Sequence, residues 1–104
     1  REGMWVCVRG MNWWVSDADL LHLFEPIAVP MDFSFVFDIP TSRHKGVVFV
    51  EFAREDDAER VVSACSSGTL NITSLGSHAS VVSASSLDAQ DYLAKSHPGA
   101  LRAR

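Results

Sequence analysis

What the sequence has little of narrows its class first. Only two cysteines, Cys7 and Cys65, occur among 104 residues. They fall in an expected strand and an expected helix, a placement that gives neither a disulfide framework nor a four-ligand metal site. Reduced intracellular thiols are the expectation. No apolar run reaches the roughly 20 residues that span a bilayer, and no signal-peptide pattern precedes the first expected strand. Basic charge is scarce too: nine Lys and Arg against thirteen Asp and Glu leave a formal net charge of −4. Non-specific affinity for polyanions comes mainly from counterions released at Lys and Arg contacts, so any nucleic-acid contact here has to be local. Nucleophile–base pairs, metal-ligand spacings and phosphate-cradling glycine loops are missing, which argues against an enzyme and against a cofactor. There is no internal repeat.

What is present fits one globular domain with a modest core, 47% hydrophobic and 21% charged,. With Arg at position 1, the chain is expected to be a piece of a longer protein. Its pattern is organised around the stretch His44 to Phe52. Val48, Val50 and Phe52 alternate with Lys45, Val47, Phe49 and Glu51, as in a strand with one buried face,. Upstream, Met4 to Met11 reads as a first strand ending at Gly10, with Val6 and Val8 on one face and Trp5, Cys7 and Arg9 on the other,. After the loop Asn12-Trp13-Trp14-Val15, Ser16 and Asp19 carry a helix-start signature, with Val15 and Leu20 placed for a hydrophobic staple. That helix is expected to bury Leu20, Leu23 and Phe24 and to stop at Pro26.

Met31 to Asp38 reads as a second strand whose Phe33, Phe35 and Phe37 share a face. They are assigned to the core, the alternative being a platform for bases. A turn-rich loop, 39–44, leads into the central strand. Beyond it, acids at Glu55 to Asp57 open a second helix carrying Ala58, Val61, Val62 and Cys65 at helical spacing. Ser66 to Ser77 is a loop closing at Gly76. The triplet Asn71-Ile72-Thr73 matches a glycosylation acceptor and is read as chance. Ala79 to Ser83 is a last strand, with Val81 or Val82 inward, and Leu87 to about Lys95 a short terminal helix. The order β-α-β-β-α-β is the ferredoxin-like α+β arrangement: a four-stranded antiparallel sheet with two helices on one face. The division is residues 1–84 as the domain and 85–104 as terminal helix and basic tail.

Within this pattern, Lys45, Gly46, Phe49, Val50 and Phe52 fit the RNP1 box of the RNA recognition motif, while Val47 and Val48 depart from it. Val6 to Met11 looks like the RNP2 box, except that Cys7 stands where an aromatic usually stacks on a base. The run Val8-Arg9-Gly10-Met11-Asn12-Trp13, followed by Ser16-Asp17-Ala18-Asp19-Leu20 and Phe24, is similar to the opening of the quasi-RNA recognition motifs. These occur in the heterogeneous nuclear ribonucleoprotein F/H group and the epithelial splicing regulatory proteins. The resemblance implies that guanine-rich single strands are held by loop residues, which here are Arg9 and Trp13. The family's tyrosine at the start of the last strand falls near Ala79, with His78 as a neighbouring substitute.

The expected function is therefore binding of short single-stranded RNA in RNA processing or regulation. Its site residues are Arg9, Trp13, Arg43, Lys45, Val47, Phe49, Cys7 and His78, with Arg43 and Lys45 reaching phosphates. The expected compartment is intracellular: nucleus, cytoplasm or an RNA-containing organelle. Each residue has a structural reading beside the functional one. Trp13 or Trp14 could cover the core's end, Arg9 could pair with Glu51, and Phe49 could face either a base or the terminal helix. The alternative function is a protein-interaction or dimerisation domain, in which Trp5, Val47, Phe49 and Trp13 form an apolar surface for a partner or a second copy.

Overall fold

The alternation of the central stretch is realised as a strand in the middle of an antiparallel sheet. The structure is a computed structural model that describes residues 4–38, 40, 43–84 and 102–103. The elements run β1 (Trp5–Arg9), α1 (Asp17–Phe24), β2 (Pro30–Asp38), β3 (Arg43–Phe52), α2 (Glu55–Ser66), β4 (Ser80–Ala84) and β5 (Arg102–Ala103). Strand order is β4-β1-β3-β2-β5. All pairings are antiparallel. The sheet thus has the expected four strands in the expected order, and a two-residue fifth strand at the edge of β2. Arg102 and Ala103, expected in a tail, form that strand. The expected terminal helix lies outside the described residues, and Arg43 and His44, expected in a loop, already belong to β3.

α1 starts where the polar residues dictate. Ser16 Oγ accepts from the Asp19 N–H at 3.3 Å, and the Asp19 carboxylate accepts from the Ser16 N–H at 2.9 Å. Two otherwise orphaned helix N–H groups are satisfied reciprocally. Glu25 caps the other end and Pro26 follows. α2 has three acids in its first turn, where they oppose the helix dipole, and no side-chain cap,. Both helices lie on one face of the sheet. Leu20, Phe24, Ala58 and Val61 pack there against Val6, Val8, Phe33, Phe35, Val48, Val50 and Phe52. Phe33 and Phe35 are core residues as expected, and Val81, not Val82, points inward. Phe24 and Phe52 meet edge to face, with ring centroids 6.2 Å apart. Asn71 Oδ1 accepts from both the N–H and the hydroxyl of Thr73, so this triplet makes a local turn,. Among the described residues no helix is long and apolar enough to cross a membrane.

Candidate functional site

The sheet's second face, opposite the helices, is also apolar. Trp5, Cys7, Val36, Phe49 and Ala84 form a second buried cluster, with Val47 packed half-buried against it. Phe49 is only 3% exposed and Cys7 only 7%. Phe49 faces away from the helices but is not exposed, and the surface expected from Trp5, Val47 and Phe49 is closed at Trp5 and Phe49. Strand order contributes a topological fact. β4 and β5 occupy opposite edges of the sheet.

Burial pushes the Cys7 thiol above its ordinary range, with the neighbouring Arg9 guanidinium pulling part of the way back. Burial likewise raises Cys65. Two consequences are measurable. At mildly alkaline pH, Cys7 should react with iodoacetamide on the order of tenfold or more slowly than a free thiol, because it is both shielded and less ionised. Unfolded, the thiol releases its proton first, at the ordinary value. Stability contributed by the raised group is thus complete below the ordinary thiol range and is lost as pH climbs through the folded value. Rapid labelling of Cys7 in the folded domain would contradict the buried face.

The loop end of the sheet is built differently. Arg9 closes β1 beside Ser80 of β4 and is exposed. The register places Glu51 across from Trp5, four residues along the strand from Arg9. The alternative Arg9–Glu51 pair is thereby excluded, because a strand rises about 3.3 Å per residue. The next residue, Gly10, has φ +75°, and a Cβ built on it would stand 2.4 Å from the His78 carbonyl oxygen. Gly76 approaches equally closely from the other side: a Cβ there would lie 2.5 Å from the Gly10 carbonyl oxygen. Two backbone hydrogen bonds complete the junction, Met11 N–H to the Gly46 carbonyl at 3.1 Å and Asn12 N–H to the Leu75 carbonyl at 2.7 Å. The β1–α1 loop, the start of β3 and the α2–β4 loop are thereby fastened at one point.

From this junction project the residues with base-binding chemistry. Trp13 is 51% exposed and Trp14 meets it edge to face at 5.6 Å. Neither indole is sealed into the core. His78 is exposed on the facing loop. Arg43 and Lys45 have backbone positions in β3, and their side chains lie outside the described residues. The structure therefore divides the expected site. Arg9, Trp13 and His78 flank one glycine junction in the open, whereas Cys7 and Phe49 are buried on the sheet. Sequence reasoning missed the junction itself, whose signal was the glycine ending β1 and the glycine closing the α2–β4 loop.

A family model described as the RNA recognition motif matches residues 6–75. The chain belongs to the RNA recognition motif family. Solved members share its fold. The RNA15 RNA recognition motif superposes with a TM-score of 0.69 at 21% identity, covering 86% of this chain and 99% of that one. The RNA-binding domain of Hrp1 in complex with RNA gives 0.64 at 22% identity, covering 86% of this chain and 50% of that one. A Sex-lethal protein–RNA complex gives 0.62 at 21%, covering 77% of this chain and 46% of that one. A search of curated proteins finds no match. Cys7 and Phe49 lie in the two stretches that resemble the RNP2 and RNP1 boxes, so the buried face is the one those stretches line.

Proposed function

We propose that this RNA recognition motif binds short single-stranded RNA at the loop end of its sheet, with Arg9 and Trp13 holding an unpaired base. An RNA-binding domain is what the family match supports, as do neighbours solved with RNA. The loop-centred reading rests on one observation. Arg9 and Trp13 are exposed on either side of a rigid glycine junction while the box residues Cys7 and Phe49 are buried. An indole face accepts any base by stacking, and a guanidinium can donate two hydrogen bonds to the O6 and N7 of guanine. A preference for guanine-rich strands, of the kind described for the quasi-RNA recognition motifs, follows from that pairing, with His78 standing in for the tyrosine of that group. Arg43 and Lys45 supply phosphate contacts, and Val47 borders the site from the sheet. In this reading residues 1–84 form the binding unit of a non-enzymatic intracellular protein that needs no cofactor.

Titration with short G-rich, U-rich and A-rich RNAs, followed by tryptophan fluorescence at two salt concentrations, tests the proposal. Quenching is expected, strongest with G-rich RNA. The salt slope should be shallow, roughly −1.4 on logarithmic axes, since Arg43 and Lys45 each make one phosphate contact and a contact on a single strand contributes about −0.7. Trp13→Ala should weaken binding about 5- to 150-fold, the equivalent of the ~1–3 kcal/mol of one base stack. Arg9→Ala should do the same through a lost bidentate contact of about 1–3 kcal/mol. Both side chains are exposed, so unfolding midpoints should stay put. Undiminished affinity in both variants would remove the mechanism.

A further inference from the structure

The two loops that meet at the glycine junction also enclose a groove, one residue beyond Trp13. It measures about 420 Å³, the size of a small ligand site, and lies between the start of α1 and the α2–β4 loop,. Trp14, Val15, Leu23 and Leu75 give it an apolar lining, and Asp19, His22 and Ser74 supply polar edges. The hydrogen bond that fastens the loops, Asn12 N–H to the Leu75 carbonyl, ends on a residue of this lining. Groove and junction are therefore one construction. Trp14 is 62% exposed, and its ring centroid lies 5.6 Å from that of Trp13, a spacing that neighbouring nucleotides can bridge when their bases are splayed apart.

The lining suits a planar base with N–H groups on its edge. An indole face takes any base by stacking. The two indole planes stand at 86°, so a base on Trp14 does not stack on a base at Trp13, and each is read separately. Asp19 sets the polarity. Its Oδ2 accepts from the Ser16 N–H at 2.9 Å and from the Ser16 hydroxyl at 3.1 Å, whereas Oδ1 has no partner among the described residues. A carboxylate oxygen can accept two hydrogen bonds. Such a group repels a phosphate and accepts from a base edge, and the Watson–Crick edge of guanine offers two donors side by side, N1–H and the N2 amino group.

We propose that this groove takes a second guanine of the strand held at Trp13, stacked on Trp14 and donating its N1–H and N2 amino hydrogens to Asp19 Oδ1. The inference rests on the RNA-binding reading above and extends it from one base to two. The two guanines are read on different edges: Arg9 contacts O6 and N7 of the first, and Asp19 contacts N1 and N2 of the second. Phosphates stay outside the acidic groove, so the second base adds affinity without adding salt dependence.

Inosine separates the two contacts, because it keeps the O6 and N7 that Arg9 reads and lacks the N2 amino group that Asp19 reads. The test is a titration of the isotope-labelled domain and of Trp14→Ala with a short G-rich RNA and with its inosine counterpart, followed by NMR. The unaltered domain should bind the inosine strand about tenfold or more weakly, the effect of losing a hydrogen bond to a charged group. Its Trp14, His22, Leu23 and Ser74 amides should shift with the G-rich strand and much less with the inosine one. Trp14→Ala removes an exposed ring, so its unfolding midpoint should stay put. It should bind the G-rich strand about 5- to 150-fold more weakly, with the same salt slope, and should no longer tell guanine from inosine. The groove assignment fails if the unaltered domain binds both strands equally, or if Trp14→Ala keeps the full preference. It fails equally if those amides answer to protein concentration instead of RNA, which would place a second copy there. Trp13→Ala and Arg9→Ala distinguish the two failures: both still weaken binding if only the groove is wrong, and neither does if the loop-end site itself is wrong.

Discussion

Gly10→Ala is expected to destabilise the domain by about 3 kcal/mol and to lower its melting temperature by more than about 10 °C, the shift that this loss gives in a domain of this size. Two costs combine. A residue with a Cβ pays about 1–2 kcal/mol to hold a left-handed backbone. Added to this is a Cβ built 2.4 Å from the His78 carbonyl oxygen and 2.9 Å from its carbon. Both neighbours are backbone atoms, so relief requires the α2–β4 loop to move as a unit. That loop carries His78 and anchors Asn12 through the Leu75 carbonyl. RNA affinity should therefore fall along with stability, even at temperatures where the variant is folded. Gly68 is the internal control. It has φ +82° and nothing within 4 Å of a built Cβ, so Gly68→Ala should lose only the conformational cost and leave RNA binding intact. Calorimetry and RNA titration of the two variants side by side check this. Equal effects of the two substitutions would show that the junction does not organise the site.

Phe52→Ala should cost more stability and no binding. The ring is fully buried, paired edge to face with Phe24, and its removal leaves a cavity beneath α1 that neighbouring side chains only partly fill. Phenylalanine-to-alanine changes at such sites cost about 3–5 kcal/mol, a large part of the ~5–15 kcal/mol that keeps a small domain folded. Position matters as much as size. Phe52 pairs with Pro30 at one end of β3, and Gly46 lies towards the other end, beside Met11. Sites separated by more than about 7–10 Å with no shared partner behave additively. In urea unfolding the midpoint should drop markedly, while below the transition the RNA dissociation constant should match the parent's. A lost affinity in the folded variant would tie the core directly to the site.

The layout of elements was legible because each rests on a local pattern. Alternation in Val48, Val50 and Phe52 set the buried face of β3, and the Ser16–Asp19 pair fixed the start of α1. What was not legible depended on partners distant in sequence. Whether Phe49 is exposed follows from what covers the outer face, which no period within β3 encodes. A weaker signal was available in β1, where Trp5, Val6, Cys7 and Val8 are all apolar. An unbroken apolar run of this kind marks a strand buried on both faces. Likewise, an Arg9–Glu51 contact could be imagined from facing strands, but the register that rules it out is set by the pairing of β1 with β3. The fifth strand, at the edge of β2 and two residues long, is too short to carry a pattern of its own. For the site, Arg9 and Trp13 became candidates through the resemblance of the run Val8 to Trp13 to the quasi-RNA recognition motifs, whereas the apposition of Gly10 and His78 emerges only when the two loops meet.

The account stands on RNA being gripped at the loop end while the box-bearing face stays closed, and amide chemical shifts during titration with a short G-rich RNA read both halves at once. Arg9, Trp13 and His78 should move progressively with added RNA, and Cys7 and Phe49 should hold their positions. Large shifts at Cys7 and Phe49, with Arg9 and Trp13 unmoved, would contradict it and return recognition to the sheet.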